Sequence, residues 1–113
     1  MPSIALIHKN SSAGEDPKID IAVRKSLEEQ EPSLFKVLLH NDDFTPMDFV
    51  VEILQSIFHY EHNLAKKIML DVHQKGVANC GIYPWDIAET KVSVVNHRSR
   101  KYEYPLRCTM ERN

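Results

Sequence analysis

At 113 residues with 42% hydrophobic content, the chain is long enough for one domain with a modest core and a tail. A formal net charge of −2 argues against a nonspecific nucleic-acid ligand, and the short basic clusters Lys66–Lys67 and Arg98–Lys101 read as solvated helix faces. No run nears the ~18 apolar residues of a membrane span. The opening "SIALI" lacks the basic lead and long apolar stretch of a signal peptide. Two widely separated cysteines, Cys80 and Cys108, fit free thiols of a reducing compartment, which makes the cytoplasm the default.

Residues 1–32 carry a polar stretch, "KNSSAGEDPK", and then "IDIAVRKSLEEQEP", whose apolar face is too thin to hold a helix by itself. They read as a flexible N-terminal arm, and residues 33–113 as the folded core. "LFKVLLH" sets Phe35, Val37 and Leu39 against Lys36 and His40, the alternation of a strand. A helix follows. Thr45 suits its N-cap, Pro46 its first position and Asp48 its first turn, and Met47, Val50, Val51, Leu54, Ile57 and Phe58 make its apolar stripe. A break at Tyr60–Glu61 precedes a second helix with Leu64, Ala65, Ile68, Met69 and Val72 on one side. Lys75–Gly76 ends it, a basic residue followed by the usual C-terminal glycine.

"VANCGIY" reads as a second strand. Pro84 opens a third helix that runs to Lys101, with Ile87, Ala88, Val92, Val94 and Val95 as its apolar side. Pro105 breaks the chain before a last strand, "LRCTM". The order β-α-α-β-α-β predicts an α+β fold with three helices against a small three-stranded antiparallel sheet.

The stretch with the most chemistry is "HNDDFTPMDF", where a strand passes into a helix through an amide and two carboxylates. Asn-Asp-Asp is a favourable turn sequence, so a plain turn is the simplest reading. The same groups are acceptors that suit a cationic donor. Met69, Val72 and His73 share one face of the second helix, and Met47 and Val50 share one of the first. Together these would make an apolar pocket with an acidic mouth.

Two competitors stand beside this reading. A metal site could draw on His40, Asp42, Asp43 and His73, or on His59, His62 and Cys80, although none has the regular spacing of structural zinc. Catalysis by Cys80 with His73 is formally available, but Cys80 lies in a strand without an activating motif.

"HNDDFTPMDFV", "MLDVHQKG", "CGIYPWDIAETKV" and "YPLRCTMER" resemble, in order, the motifs of the ClpS family, adaptors of the Clp proteases, and they span nearly all of residues 34–113. The resemblance implies a non-enzymatic, cofactor-free, metal-free adaptor, simplest as a monomer. It would bind proteins that begin with Leu, Phe, Tyr or Trp and deliver them to a ClpA- or ClpC-type unfoldase for degradation by ClpP. Carried over residue by residue, Asn41, Asp43 and His73 would hold the substrate α-amino group. Asp42 and Thr45 would shape the loop and mouth, and Met47, Val50, Met69, Val72 and Leu106 would line the side-chain pocket. Separately from the carry-over, exclusion of β-branched Val and Ile needs a clash near Cβ, and Met47 is the candidate for that wall. Asp86, Glu89 and Lys91 on the third helix would dock the unfoldase. Pro84 and Trp85 depart from the family pattern, which favours a small capping residue followed by Ala. A general peptide-interaction domain or a small metal-dependent enzyme would be the alternatives.

The chemistry agrees with the carry-over. An α-amino group with pKa ~7.7–8.0 is mostly charged at neutral pH. Capture of an N-terminal amine rejects internal residues, whose peptide nitrogen is neutral and whose chain continues. Burial of a Leu or Phe side chain contributes ~1.5–3 kcal/mol. After association costs, binding on the micromolar scale is expected.

Overall fold

The computed structural model describes residues 18–19 and 33–113. Chain contacts divide between Glu31 and Pro32, and the elements belong to the second unit; the expected arm, residues 1–32, lies almost wholly outside the described residues. The elements are β1 (Leu34–His40), α1 (Met47–Ser56), α2 (His62–Lys75), β2 (Val77–Pro84), α3 (Trp85–Lys101) and β3 (Arg107–Arg112). This is the α+β order expected from the sequence. The sheet is antiparallel with β1 central, in the order β2-β1-β3.

Alternation along β1 buries Val37 and Leu39 completely on the helix side. Ile53 and Leu54 from α1, Ala65 from α2, Ala88 and Val95 from α3, and Cys80 of β2 are likewise fully buried. Each large apolar side chain buried here contributes ~1.5–3 kcal/mol. The helical stripes are narrower than the sequence suggests. On α2 the buried positions are Ala65, Met69 and Val72, and on α3 they are Ala88, Val95 and Ser99. Leu64, Ile87 and Val94 stand one residue before a buried position, about 100° round the helix, and are exposed. Conversely, Ile53 joins the core although it lay outside the predicted stripe. So does Ser99, whose hydroxyl donates to the Val95 carbonyl at 2.7 Å.

The start of α1 corrects the expected cap. Pro46, at φ −63° and ψ 142°, is the N-cap residue, and no side chain caps the helix. Its carbonyl accepts from the Phe49 and Val50 amides at 3.1 and 3.3 Å. Thr45 lies one residue before the cap position, and its polar groups turn back to Asp42 instead. The Thr45 amide donates to Asp42 Oδ1 at 2.7 Å and its hydroxyl to Asp42 Oδ2 at 2.6 Å. Pro84 is likewise the N-cap of α3 rather than its first residue.

The break between α1 and α2 falls where expected. His59 turns through φ 61°, and Glu61 caps α2 by accepting the Leu64 amide at 2.8 Å. Gly76 ends α2 at φ 85°, a left-handed conformation that costs a residue with a Cβ far more. Pairing of β1 with β2 shifts between Val37 and Leu38, leaving Cys80 as the extra residue of a β-bulge. The Tyr60 hydroxyl donates to the Cys80 carbonyl at 2.6 Å. On β3, the Asn96 side chain holds both the amide and the carbonyl of Cys108, at 2.9 and 3.0 Å, fastening α3 to that edge.

Candidate functional site: an apolar concavity with a polar rim

Strand register assembles the site. His40, the last residue of β1, pairs with Val77 on one side and Arg107 on the other. In an antiparallel ladder the next residue, Asn41, therefore comes level with Gly76 and with Leu106. The Asn41 amide closes this arrangement by donating to the Gly76 carbonyl at 2.8 Å. The loop after β1, the last turn of α2 and the entry to β3 thus meet at one end of the sheet.

A concavity of about 170 Å³ lies there, lined by His40, Asn41, Asp42, Asp43, Thr45, Met47, Val50, Met69, Val72, His73 and Leu106. An apolar cavity of ~150 Å³ is known to accept benzene, so the volume suits one bulky side chain. Val50, Met69, Val72 and Leu106 are buried, whereas Asn41, Asp43 and His73 are exposed and Met47 is 46% exposed. All ten residues named from the sequence as amine-binding, mouth or side-chain-pocket positions line this one concavity.

Asp42 organises the loop. Besides Thr45, its Oδ1 accepts the Phe44 amide at 2.8 Å. Burial alone would push the Asp42 carboxyl up. The hydrogen bonds from the Thr45 hydroxyl and the Phe44 and Thr45 amides, with the Arg100 charge beyond, outweigh this and hold it below the ordinary carboxylate value. Its oxygens are occupied within the loop, while Asp43 beside it stands exposed at the rim.

His40 is the lining residue that sequence reasoning did not place in the pocket. Its Nε2 lies 2.7 Å from the Thr109 hydroxyl. Burial lowers its pKa, the Arg107 charge lowers it further, and Glu111 opposes both. Its position directly before Asn41 was the available signal, but strand alternation pointed it away from the core.

The competing chemistries find little support in the geometry. Among the described residues no three His, Cys, Asp or Glu side chains gather as a metal site would require. Both cysteines are free and buried, and burial pushes each thiol up to about 12, so neither supplies a thiolate near neutrality.

The three charged residues named on α3 lie away from the concavity, and they differ in kind. Asp86 and Glu89 are exposed. The Lys91 ammonium instead donates to the Ile57 carbonyl at 2.7 Å and lies 5.5 and 5.1 Å from the ring centres of Phe58 and Tyr83. Trp85 is 54% exposed, so it is not sequestered against the sheet.

The α+β domain thus carries a concavity with a buried apolar floor and an exposed polar rim, a shape suited to taking a ligand. The comparisons with known proteins name the kind of domain. Residues 30–109 match the family model described as ATP-dependent Clp protease adaptor protein ClpS. A ClpS adapter protein of Hyphomonas neptunium is 50% identical over 93 residues, covering 82% of this chain and 79% of that protein. One of Maricaulis maris is 45% identical over 104 residues, covering 92% and 95%. A solved structure of Agrobacterium tumefaciens ClpS2 bound to L-phenylalaninamide superposes with a TM-score of 0.72 at 34% identity, covering 74% of this chain and all of that one. The chain belongs to the ClpS family of adaptors of the ATP-dependent Clp protease. No helix among the described residues is long and apolar enough to cross a membrane.

Proposed function

We propose that this adaptor binds proteins through a bulky hydrophobic N-terminal residue, Leu, Phe, Tyr or Trp, and delivers them to a ClpA- or ClpC-type unfoldase coupled to ClpP. The observation that carries the reading is the division of a single concavity into an apolar floor and an acceptor-bearing rim. Asp43 and the Asn41 side-chain oxygen accept protons from the charged α-amine, and His73 accepts one through a neutral ring nitrogen. Val50, Met69, Val72 and Leu106 receive the attached side chain. The methionines adapt to both branched and planar shapes. Met47, half exposed at the mouth, is the wall against a second branch at Cβ.

The related ClpS2 bound to L-phenylalaninamide supports this, because that ligand joins a free amine to a benzyl side chain. For delivery, the exposed acids Asp86 and Glu89 are the docking contacts, with Lys91 contributing chiefly by holding α3 against the Ile57 carbonyl. Residues 1–32 serve as the arm that engages the unfoldase. The cytoplasm is where such a hand-off would take place.

The direct test compares peptides beginning with Leu or Phe, their acetylated forms, and controls beginning with Met or Ala. Binding of the free Leu and Phe peptides only is the expected result. Equal affinities across the set would sink the proposal, and loss of binding on adding a chelator would point to a metal instead.

A further inference from the structure

Phe44 is 79% exposed, more than any other large hydrophobic side chain among the described residues. Its backbone is not loose: the amide is held by Asp42 Oδ1, and the flanking residues Asp43 and Thr45 both line the concavity. Phe44 itself faces outward into a shallow hollow shared with Arg100, Glu103, Tyr104 and Pro105. Pro105 in turn directly precedes Leu106, which lines the concavity. Two separate chain segments, 43–45 and 105–106, therefore border both depressions, and the hollow lies directly beside the pocket.

The hollow is also firmly built. Arg100 Nη1 donates to the carbonyls of Tyr104 and Leu106 at 2.7 and 3.1 Å, so one guanidinium fixes the segment that borders both depressions. The Tyr104 amide donates to the Ser99 carbonyl at 2.8 Å, and its ring stands edge-on to Phe49 with centroids 4.8 Å apart.

We propose that this hollow receives the side chain of the second residue of the bound chain, with Phe44 as the residue that sets preference there. The inference rests on the amine-capture reading. Once the first residue occupies the pocket, the next Cα lies about 3.8 Å further along a trans peptide. The rim it must cross includes segments 43–45 and 105–106, which border the hollow as well as the pocket. Phe44, Tyr104 and Pro105 offer ring faces and an apolar edge, so the favoured second residue is aromatic or large and apolar. An aromatic side chain held in water by a rigid turn is placed for contact without an ordering cost to the loop.

Affinities of the full-length protein for Leu-Phe- and Leu-Gly-starting peptides of otherwise identical sequence provide the test, with acetyl-Leu-Phe as the control. Wild type is expected to prefer Leu-Phe by about fivefold, which corresponds to ~1 kcal/mol. Phe44→Ala should erase that preference while leaving Leu-Gly binding and the thermal midpoint unchanged, and Phe44→Leu should restore part of it. Equal wild-type affinities for the two free peptides, or an equal loss for both in Phe44→Ala, would overturn the second-residue subsite while amine capture stands. Wild-type binding of the acetylated peptide as tightly as the free one would overturn amine capture, and this inference with it.

Discussion

Val50, Val72 and Leu106 belong both to the floor of the concavity and to the hydrophobic core, whereas Asn41, Asp43 and His73 on its rim are exposed and outside that core. The difference separates two kinds of constraint. A floor residue is held by close packing, so changing it disturbs the sheet and helices along with any ligand. A rim residue is held mainly by backbone register, so its side chain is free to serve a ligand with little cost to the fold. Affinity and stability should accordingly be separable at the rim and inseparable at the floor.

The largest effect should come from the floor. Leu106→Ala removes a side chain that is 1% exposed, and such substitutions cost ~2–5 kcal/mol. Urea denaturation should show that loss, with peptide binding weakened even where the variant remains folded. A denaturation midpoint like that of wild type would mean that Leu106 is not a packing residue.

At the rim, Asp43→Ala and His73→Ala are each expected to weaken a Leu-starting peptide by ~10-fold, or ~1.4 kcal/mol. Their stabilities should stay within ~0.5 kcal/mol of wild type. A parallel fall in stability would erase the distinction between rim and floor. Met47 sits between the two classes, at the mouth and half exposed. Met47→Ala should admit peptides beginning with Ile or Val, raising their affinity by several-fold with stability nearly unchanged. If those peptides bind as poorly as before, the gate lies elsewhere.

The smallest and most conditional effect belongs to Asp42, the rim residue that serves the loop itself. Its folded-state pKa is lowered, so the stability it adds is present above the ordinary unfolded value of ~3.9 and is lost as pH falls through the folded value. The stability gap between wild type and Asp42→Asn should therefore be constant near neutrality and close in acid. A gap that persists below the folded-state pKa would show that the charge on Asp42 is not its source.

Much of the local structure is legible in the chain. Strand alternation marks β1, Gly76 marks the end of α2, and Tyr60–Glu61 marks the break between helices, because each depends on a short-range period or one residue's conformational preference. The loop after β1 is different. From its own residues it reads first as a turn, and the Asp42 hydrogen bonds to Phe44 and Thr45 bear that out. Helical spacing put Met69, Val72 and His73 on one face that could meet the loop, but the resemblance to ClpS is what joined them to it as one site and added Leu106, since no local period links residues so far apart.

What the sequence determined by itself was the order and approximate extent of the elements and the family to which they belong. The tertiary structure decided which groups share a surface. Pairing of His40 with both Val77 and Arg107 brings Asn41, Gly76 and Leu106 level. The Cys80 bulge shifts the register of β2, and Lys91 turns from an apparent surface charge into a ligand of the Ile57 carbonyl. These outcomes follow from long-range burial and hydrogen-bond completion, which select one register among several that the local patterns allow equally.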